Sequence, residues 1–168
     1  MQLRTAIEGV VVALMVAASA TMIYTASTLR ANSNAIRAKN EATVYQVGDT
    51  FGGVPDVRFD QHPRTVVLFL QSTCKFCTDS APFYRRLLAQ PNRPPVIVVG
   101  YEDAEVLQSY LADLGVFPDR SVKAVPGAVR LLGTPSLVVV TNEGKVERLW
   151  RGQLDAKSED SVLEQVLR

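Results

Sequence analysis

The chain begins with a long apolar stretch. Residues 9–29 include no charged side chain, and a helix of that length would extend about 30 Å, which matches the hydrocarbon core of a bilayer. The pattern predicts a membrane anchor or signal peptide over residues 1–29, with a helix buried in an oligomer as the alternative. Ala18-Ser19-Ala20 is a candidate signal-peptidase site. Because the apolar run continues through residues 22–24, we favour an uncleaved anchor.

Residues 30–43 are polar and small, which is typical of a tether. Arg4 precedes the apolar stretch, whereas Arg30, Arg37 and Lys39 follow it. The positive-inside rule would place the following domain in the cytoplasm, but long C-terminal domains translocate largely regardless of charge. Together with the thiol chemistry described below, this favours a single-pass protein of the cell membrane. We expect its domain to lie outside the cytoplasm, on the periplasmic side.

Short apolar runs alternate with helical periodicity over residues 44–168. Continuous or β-branched runs predict buried strands, and apolar positions three or four residues apart predict helices. Asn142-Glu143-Gly144 predicts a tight turn between two paired strands. The fold class is therefore α/β, a mixed sheet flanked by helices on both faces. The predicted strands are 66–70, 96–99, 137–140 and 145–151, and the predicted helices follow Cys77, cover 103–115 and close the chain near 162–167.

The composition of the chain argues against several classes of function. Of 168 residues, 18 are basic and 17 are acidic, which argues against a nucleic-acid-binding surface. With two cysteines and one histidine, His62, a four-ligand zinc site would need carboxylates or a second subunit. The same count excludes a disulfide-dense scaffold.

The two cysteines form Cys74-Lys75-Phe76-Cys77, directly after the first predicted strand and at the start of a helix. Backbone N–H groups and the helix dipole stabilise a thiolate there, and Lys75 adds positive charge. We therefore assign Cys74 as the nucleophile and Cys77 as the resolving thiol. Half of a metal site, a structural disulfide and inert core thiols are the alternatives.

This pattern resembles the thioredoxin superfamily. Pro82 lies five residues after Cys77, and Gly133-Thr134-Pro135 precedes an apolar strand. The resemblance implies a thioredoxin-like fold in which Pro135 has a cis peptide bond and lies beside the sulfurs. It also implies that the backbone of Thr134 pairs with the substrate. We expect Lys75 and Phe76 to contact the substrate as well.

Further motifs resemble the membrane-anchored, extracytoplasmic proteins of the TlpA and ResA type. These motifs are Val47-Gly48-Asp49, the run Gly133–Leu137 and the turn 142–146, with Gly152 beyond. The resemblance covers residues 44–168. It implies a thiol:disulfide oxidoreductase that acts on protein thiols and disulfides and receives electrons from a transmembrane thiol carrier. Such an oxidoreductase requires no metal or organic cofactor, and its redox-active group is the Cys74–Cys77 disulfide.

Some positions depart from the family pattern. Thr73 replaces a common tryptophan, and Lys75-Phe76 stands where many relatives have a proline. Leu68 and Ser80 occupy positions at which thioredoxins and cytochrome-maturation proteins, respectively, carry an acid. Asp79 is a neighbouring carboxylate that could substitute, although a solvated helix face is the simpler interpretation.

Two other functions remain open from the sequence. One is a non-catalytic binding or accessory module on a thioredoxin fold. The other is a thiol peroxidase, disfavoured because Gln71 stands where some relatives have a threonine three residues before the reactive cysteine.

Overall fold

The computed structural model of the protein describes residue 15 and residues 18–34, 44–131 and 133–168. The chain divides into two compact units, Met1–Thr43 and Val44–Arg168. In the first, residues 18–34 are helical (α1), and apolar side chains such as Met22 and Ile23 are exposed. No helix within the described residues is both long and apolar enough to cross a membrane. The predicted anchor (1–29) and tether (30–43) lie partly outside the described residues.

The second unit is built on a five-stranded sheet, which is mixed, as the sequence predicts. The strand order is β3-β2-β1-β4-β5. The pairs β1–β2 and β2–β3 are parallel, whereas β1–β4 and β4–β5 are antiparallel. The last pair confirms the predicted hairpin. The strands are β1 (Arg64–Phe69), β2 (Val96–Gly100), β3 (Arg120–Lys123), β4 (Ser136–Thr141) and β5 (Val146–Arg151).

Helices connect and follow these strands. Ser80 interrupts the first helical segment after β1, and the chain resumes as a helix with Pro82 in its first turn, where a missing N–H costs nothing. Gly115, at φ 66°, ends a later helix, with the paired backbone hydrogen bonds of a Schellman motif. The elements are η1 (Phe59–Gln61), α2 (Lys75–Asp79), α3 (Ala81–Leu88), α4 (Ala104–Asp113) and α5 (Ala156–Leu167).

Each face of the sheet is covered by its own apolar cluster. On one face, side chains of α3, α4 and α5 pack against alternate residues of β1, β2 and β4. On the other face, the covering residues come from the segment before β1, including η1, and from residues 124–131. The sequence predicts helices on both faces. Within the described residues, the second face is instead covered by a 3-10 helix and irregular connecting segments, and no α-helix packs on it.

The short edge strand β3 is absent from the sequence prediction. Only two of its four residues, Ser121 and Val122, are buried, so it lacks a continuous apolar run. Its position depends on tertiary contacts at its start. Asp119 accepts a hydrogen bond from the backbone N–H of Val96 at 2.7 Å and pairs with Arg93, which aligns β3 with β2.

Candidate active site

Cys74 lies between the end of β1 and the first helix that follows it. It is the N-cap of α2, and its Sγ accepts a hydrogen bond from the backbone N–H of Cys77 at 3.3 Å. Its thiol also lies 3.4 Å from the carbonyl oxygen of Thr134, to which it donates. Cys74 is partly buried. This places its sulfur at the surface of the domain, within reach of a second molecule.

Cys77 is one helical turn further on and is fully buried. Burial, followed by the hydrogen bond with Cys74, raises the pKa of Cys77 to about 12. Partial burial alone would also raise the pKa of Cys74. Hydrogen bonds from the Cys77 thiol, the Thr134 side chain and two backbone N–H groups outweigh it and hold the pKa of Cys74 below its ordinary value. The two thiols are therefore unequal: Cys74 ionises first and is the accessible one.

The loop before β4 brings Thr134 and Pro135 to the cysteines from 60 residues away in the chain. The Thr134–Pro135 peptide bond is cis, as the resemblance implies. Ser136 Oγ donates to the carbonyl of Gly133 at 3.0 Å, which holds the turn. Thr134 thus contacts the reactive sulfur from outside the Cys74–Cys77 segment.

Lys75 and Phe76 face outward between the cysteines. The Lys75 side chain is 79% exposed and forms an ion pair with Asp79 one turn later. Asp79 therefore belongs to the helix surface, where it partners a lysine rather than a sulfur. Phe76 is 56% exposed, so its ring is accessible to a second molecule beside the reactive sulfur.

Glu102, which no sequence pattern indicates, follows β2 and reaches back to the loop before Cys74. Its carboxylate accepts hydrogen bonds from both the backbone N–H of Ser72, at 2.9 Å, and the Ser72 hydroxyl. Beside it, the hydroxyls of Tyr110 and Thr78 lie 3.0 Å apart. Glu102 thus anchors the active-site loop to the sheet. No local pattern could have identified it, because its partner lies 30 residues away.

A protein metal site is built from several histidine, cysteine or carboxylate ligands that converge on one point. In the part of the chain that the structure describes, no group of three or more such side chains lies close enough together to hold a metal ion.

The fold is that of thioredoxin-like proteins, as comparison with solved structures shows. The thioredoxin domain of a thiol-disulfide oxidoreductase from Bacteroides vulgatus aligns with a TM-score of 0.57 at 14% identity, covering 74% of this chain and 99% of that one. A thiol-disulfide isomerase from Corynebacterium glutamicum aligns at 0.51 with 20% identity, covering 73% and 92%. A peroxiredoxin-like protein from Aquifex aeolicus aligns at 0.52 with 11% identity, covering 73% and 88%.

Comparison of the sequence itself identifies no relative. No protein-family model matches the chain, and no curated protein matches it significantly. The solved structures similar to this chain include several named as thiol-disulfide oxidoreductases or related proteins. At these identities the likeness identifies the fold, and the evidence for chemistry is the cysteine pair itself.

The inequality of the two thiols predicts a strong preference in alkylation. We expect iodoacetamide to label Cys74 at neutral pH, with a rate that reaches half its maximum below the ordinary thiol pKa of about 8.5. Cys77 stays unlabelled until the pH approaches 12, because the thiolate is the reactive form. Mass spectrometry after timed labelling between about pH 5 and 10 measures the pH profile of Cys74 and checks that Cys77 stays unlabelled over that range. Equal labelling of the two cysteines would contradict the assignment.

The Glu102 anchor predicts a loss of stability when its acceptor oxygens are removed. We expect Glu102→Ala to lower the free energy of unfolding by about 1.5–3 kcal/mol, since hydrogen bonds to a charged group contribute that much. Glu102→Gln, which keeps one acceptor oxygen, should lose less. Urea denaturation of both variants beside the wild type measures the difference. An alanine variant as stable as the wild type would show that the loop is held by other contacts.

Proposed function

We propose that this protein is a membrane-tethered thiol:disulfide oxidoreductase whose domain, residues 44–168, acts on protein disulfides outside the cytoplasm. The observation that carries the proposal is the asymmetry of the cysteine pair. Cys74 is accessible and has a lowered pKa, whereas Cys77 is buried, has a raised pKa and lies one turn away. Thiol exchange needs an attacking thiolate that ionises readily and a second thiol that is shielded until the first has reacted.

The reaction proceeds in two exchanges. The Cys74 thiolate attacks one sulfur of a substrate disulfide, forms a mixed disulfide and releases the other substrate sulfur as a thiolate. Cys77 then loses its proton to water and attacks Cys74 Sγ. The Cys74–Cys77 disulfide forms, the bond to the substrate breaks, and the second substrate thiol is released. Two electrons pass from the dithiol to the substrate, and the reverse order of steps describes an oxidase.

Substrate contacts in this proposal come from the residues around Cys74. We expect the backbone of Thr134 to pair with an extended segment of the substrate, and the exposed ring of Phe76 offers an apolar contact beside the sulfur. Lys75, although paired with Asp79, remains exposed enough to meet a substrate carboxylate. The redox-active disulfide is the only redox group that the mechanism uses. A transmembrane thiol carrier would re-reduce it.

A redox titration tests the chemistry. The full chain is equilibrated in dithiol buffers of graded potential, and the free thiols are counted by alkylation. We expect a reversible two-electron transition. A potential near −270 mV, roughly that of thioredoxin, indicates a reductant, and one near −120 mV, roughly that of a strong oxidase, indicates the reverse direction. The absence of any transition would refute the oxidoreductase and favour the non-catalytic binding module.

Peroxidase activity is tested with the same protein. Consumption of hydrogen peroxide by the reduced chain, at a rate matching or exceeding its reduction of a protein disulfide, would favour the thiol peroxidase instead. We expect peroxide consumption to be slow, with disulfide reduction the faster reaction.

The membrane tether is supported by the uncharged stretch 9–29 and by the hydroxyl groups of α1. Thr21, Thr25, Ser27 and Thr28 each donate to a carbonyl three residues earlier, which satisfies these groups where water is scarce. We expect the full chain to stay with membranes after alkaline extraction and to be cleaved by protease added to spheroplasts. Release by extraction would contradict the anchor, and protection from protease would contradict the orientation.

A further inference from the structure

Tyr110 lies beside the active-site helix and is not used by the two exchange steps. It belongs to α4, and its ring packs against the apolar cluster that contains Cys77. Its hydroxyl lies 3.0 Å from the hydroxyl of Thr78, which is on α2 directly after Cys77. A side chain 32 positions away in the chain therefore reaches the helix that carries the resolving thiol.

The hydroxyl contact continues to the backbone of the nucleophile. Thr78 Oγ1 donates to the carbonyl oxygen of Cys74 at 3.5 Å. A threonine hydroxyl has one proton to donate, so the hydroxyl of Tyr110 is the donor in its contact with Thr78. Burial raises the pKa of Tyr110 above its ordinary value, and the phenol keeps its proton at neutral pH. Hydrogen bonds thus lead from α4 through Thr78 to Cys74.

The carbonyl of Cys74 determines how α2 begins. The backbone N–H groups of Cys77 and Thr78 also donate to it, at 3.1 and 3.2 Å. These bonds hold the peptide of Cys74 where its Sγ accepts the N–H of Cys77 at 3.3 Å. Partial burial raises the pKa of Cys74, but hydrogen bonds that include this one hold it below its ordinary value. The orientation of this carbonyl therefore affects how readily the nucleophile ionises.

Helix α2 depends on contacts from other elements. It is five residues long, and a helix this short is not stable by itself. The buried side chain of Cys77 holds its inner side, and the contact between Thr78 and Tyr110 holds it from α4. Directly before α4, Glu102 binds Ser72 in the loop that precedes the nucleophile. The region from the end of β2 to α4 therefore contacts the chain on both sides of the nucleophile.

The ionisable groups around Cys74 leave Tyr110 without a charge to contribute. These groups are Cys77 on α2, Tyr84 on α3 and Tyr110 on α4, with Glu102 beyond Tyr110 and an exposed ion pair between Lys75 and Asp79. The strands β1 and β4 and helix α5 contribute apolar side chains to the same cluster. Replacing Tyr110 by phenylalanine removes a hydroxyl and no charge, so its effect on Cys74 would arise through geometry.

We propose that Tyr110 is a positioning residue for the nucleophile, which acts through Thr78 to hold the carbonyl of Cys74 and the start of α2. With this turn held in place, the N–H of Cys77 points at the Cys74 sulfur and stabilises the thiolate that attacks the substrate. Tyr110 exchanges no proton with either thiol. This inference rests on the proposed function and assigns the residue that supports its first step.

The test is the pH profile of Cys74 alkylation by iodoacetamide in the full chain. We expect Tyr110→Phe to move the midpoint up by about 0.5 pH unit and to slow labelling below the midpoint about threefold, since one pKa unit changes the thiolate population tenfold. At high pH, where Cys74 is fully ionised, the rate should stay within about twofold of the wild type. Thr78→Val removes the other hydroxyl and should shift the midpoint equally.

A double variant and two controls make the outcomes distinct. Because the two hydroxyls act through one contact, Tyr110→Phe combined with Thr78→Val should shift the midpoint no further than either change alone. Thr78→Ser keeps the hydroxyl, and Tyr101→Phe removes a phenol from the other face of the sheet. Each should leave the midpoint within about 0.2 unit of the wild type.

Four results would overturn the inference: an unmoved midpoint in Tyr110→Phe, additive shifts in the double variant, an equal shift in Tyr101→Phe, or rapid labelling of Cys77 in Tyr110→Phe at neutral pH. The last would mean that the substitution loosens the packing around the resolving thiol instead of moving the nucleophile. A wild-type chain without a reversible transition in the redox titration would instead refute the proposed function.

Discussion

Replacing Cys74 by serine is expected to abolish disulfide exchange, lowering the rate by at least about a thousandfold to the uncatalysed background. A serine hydroxyl stays protonated at neutral pH and forms no disulfide, so the mixed disulfide cannot arise. The loss is measured in an insulin assay, in which the full chain catalyses the reduction of insulin by dithiothreitol and the turbidity of the solution reports the rate. Because Ser can also accept the N-cap hydrogen bond, we expect Cys74→Ser to fold as the wild type does.

Cys77→Ser provides the contrast that assigns the two roles. Cys74 is partly exposed and is unchanged in this variant, so we expect the first exchange to proceed and the mixed disulfide to accumulate. Turnover should fall, because no second thiol is present to release the product. Mass spectrometry under non-reducing conditions detects the trapped adduct. Trapping by Cys74→Ser instead would reverse the assignment of nucleophile and resolving thiol.

Leu70→Ala is expected to lower the free energy of unfolding by about 2–5 kcal/mol, more than the loss expected for Glu102→Ala. Leu70 is fully buried directly after β1, where its N–H donates to the carbonyl of Val99. Truncating it leaves a cavity between the sheet and the helices that cover it. Since the chain turns into the active-site loop directly afterwards, we also expect the alkylation of Cys77 to accelerate. Denaturant unfolding and timed labelling measure the two effects.

Leu167→Ala is the matched control for this prediction. The same atoms are removed at the end of α5, where the side chain is already 38% exposed. We expect a change of about 0.5 kcal/mol or less, as is usual for surface positions. Equal destabilisation by the two leucine variants would mean that the cluster on the helical face of the sheet does not dominate stability.

Much of the domain could be predicted because its signals are local. The apolar runs that form β1, β2 and β4 are each buried at every or nearly every position, which is the pattern a central strand requires. The turn at 142–144 places β4 and β5 side by side. Gly115 ends a helix because its left-handed backbone suits glycine. For each of these elements, the information lies within a short stretch of neighbouring residues.

The elements that sequence reasoning misses depend on distant partners. The strand β3 has two buried residues and is aligned by the hydrogen bond from the start of β2 to Asp119. The layer opposite the α-helices consists of segments without strong periodicity, so no local pattern describes it. The pKa of Cys74 also depends on distant partners. Lys75 is 79% exposed, and hydrogen bonds from Cys77, Thr134 and the backbone are what lower the pKa of Cys74.

The reactive pair and its setting can be identified from local sequence, because the buried strand, the two cysteines one helical turn apart and the helix start are all close together in the chain. Packing between elements determines which thiol is accessible, since burial of Cys77 depends on side chains from several elements. It also brings Thr134 to Cys74 and Glu102 to Ser72. The spacing of residues along the chain indicates which side chains are neighbours on one helix or strand. Desolvation and long-range hydrogen bonds arise only when separate elements pack together.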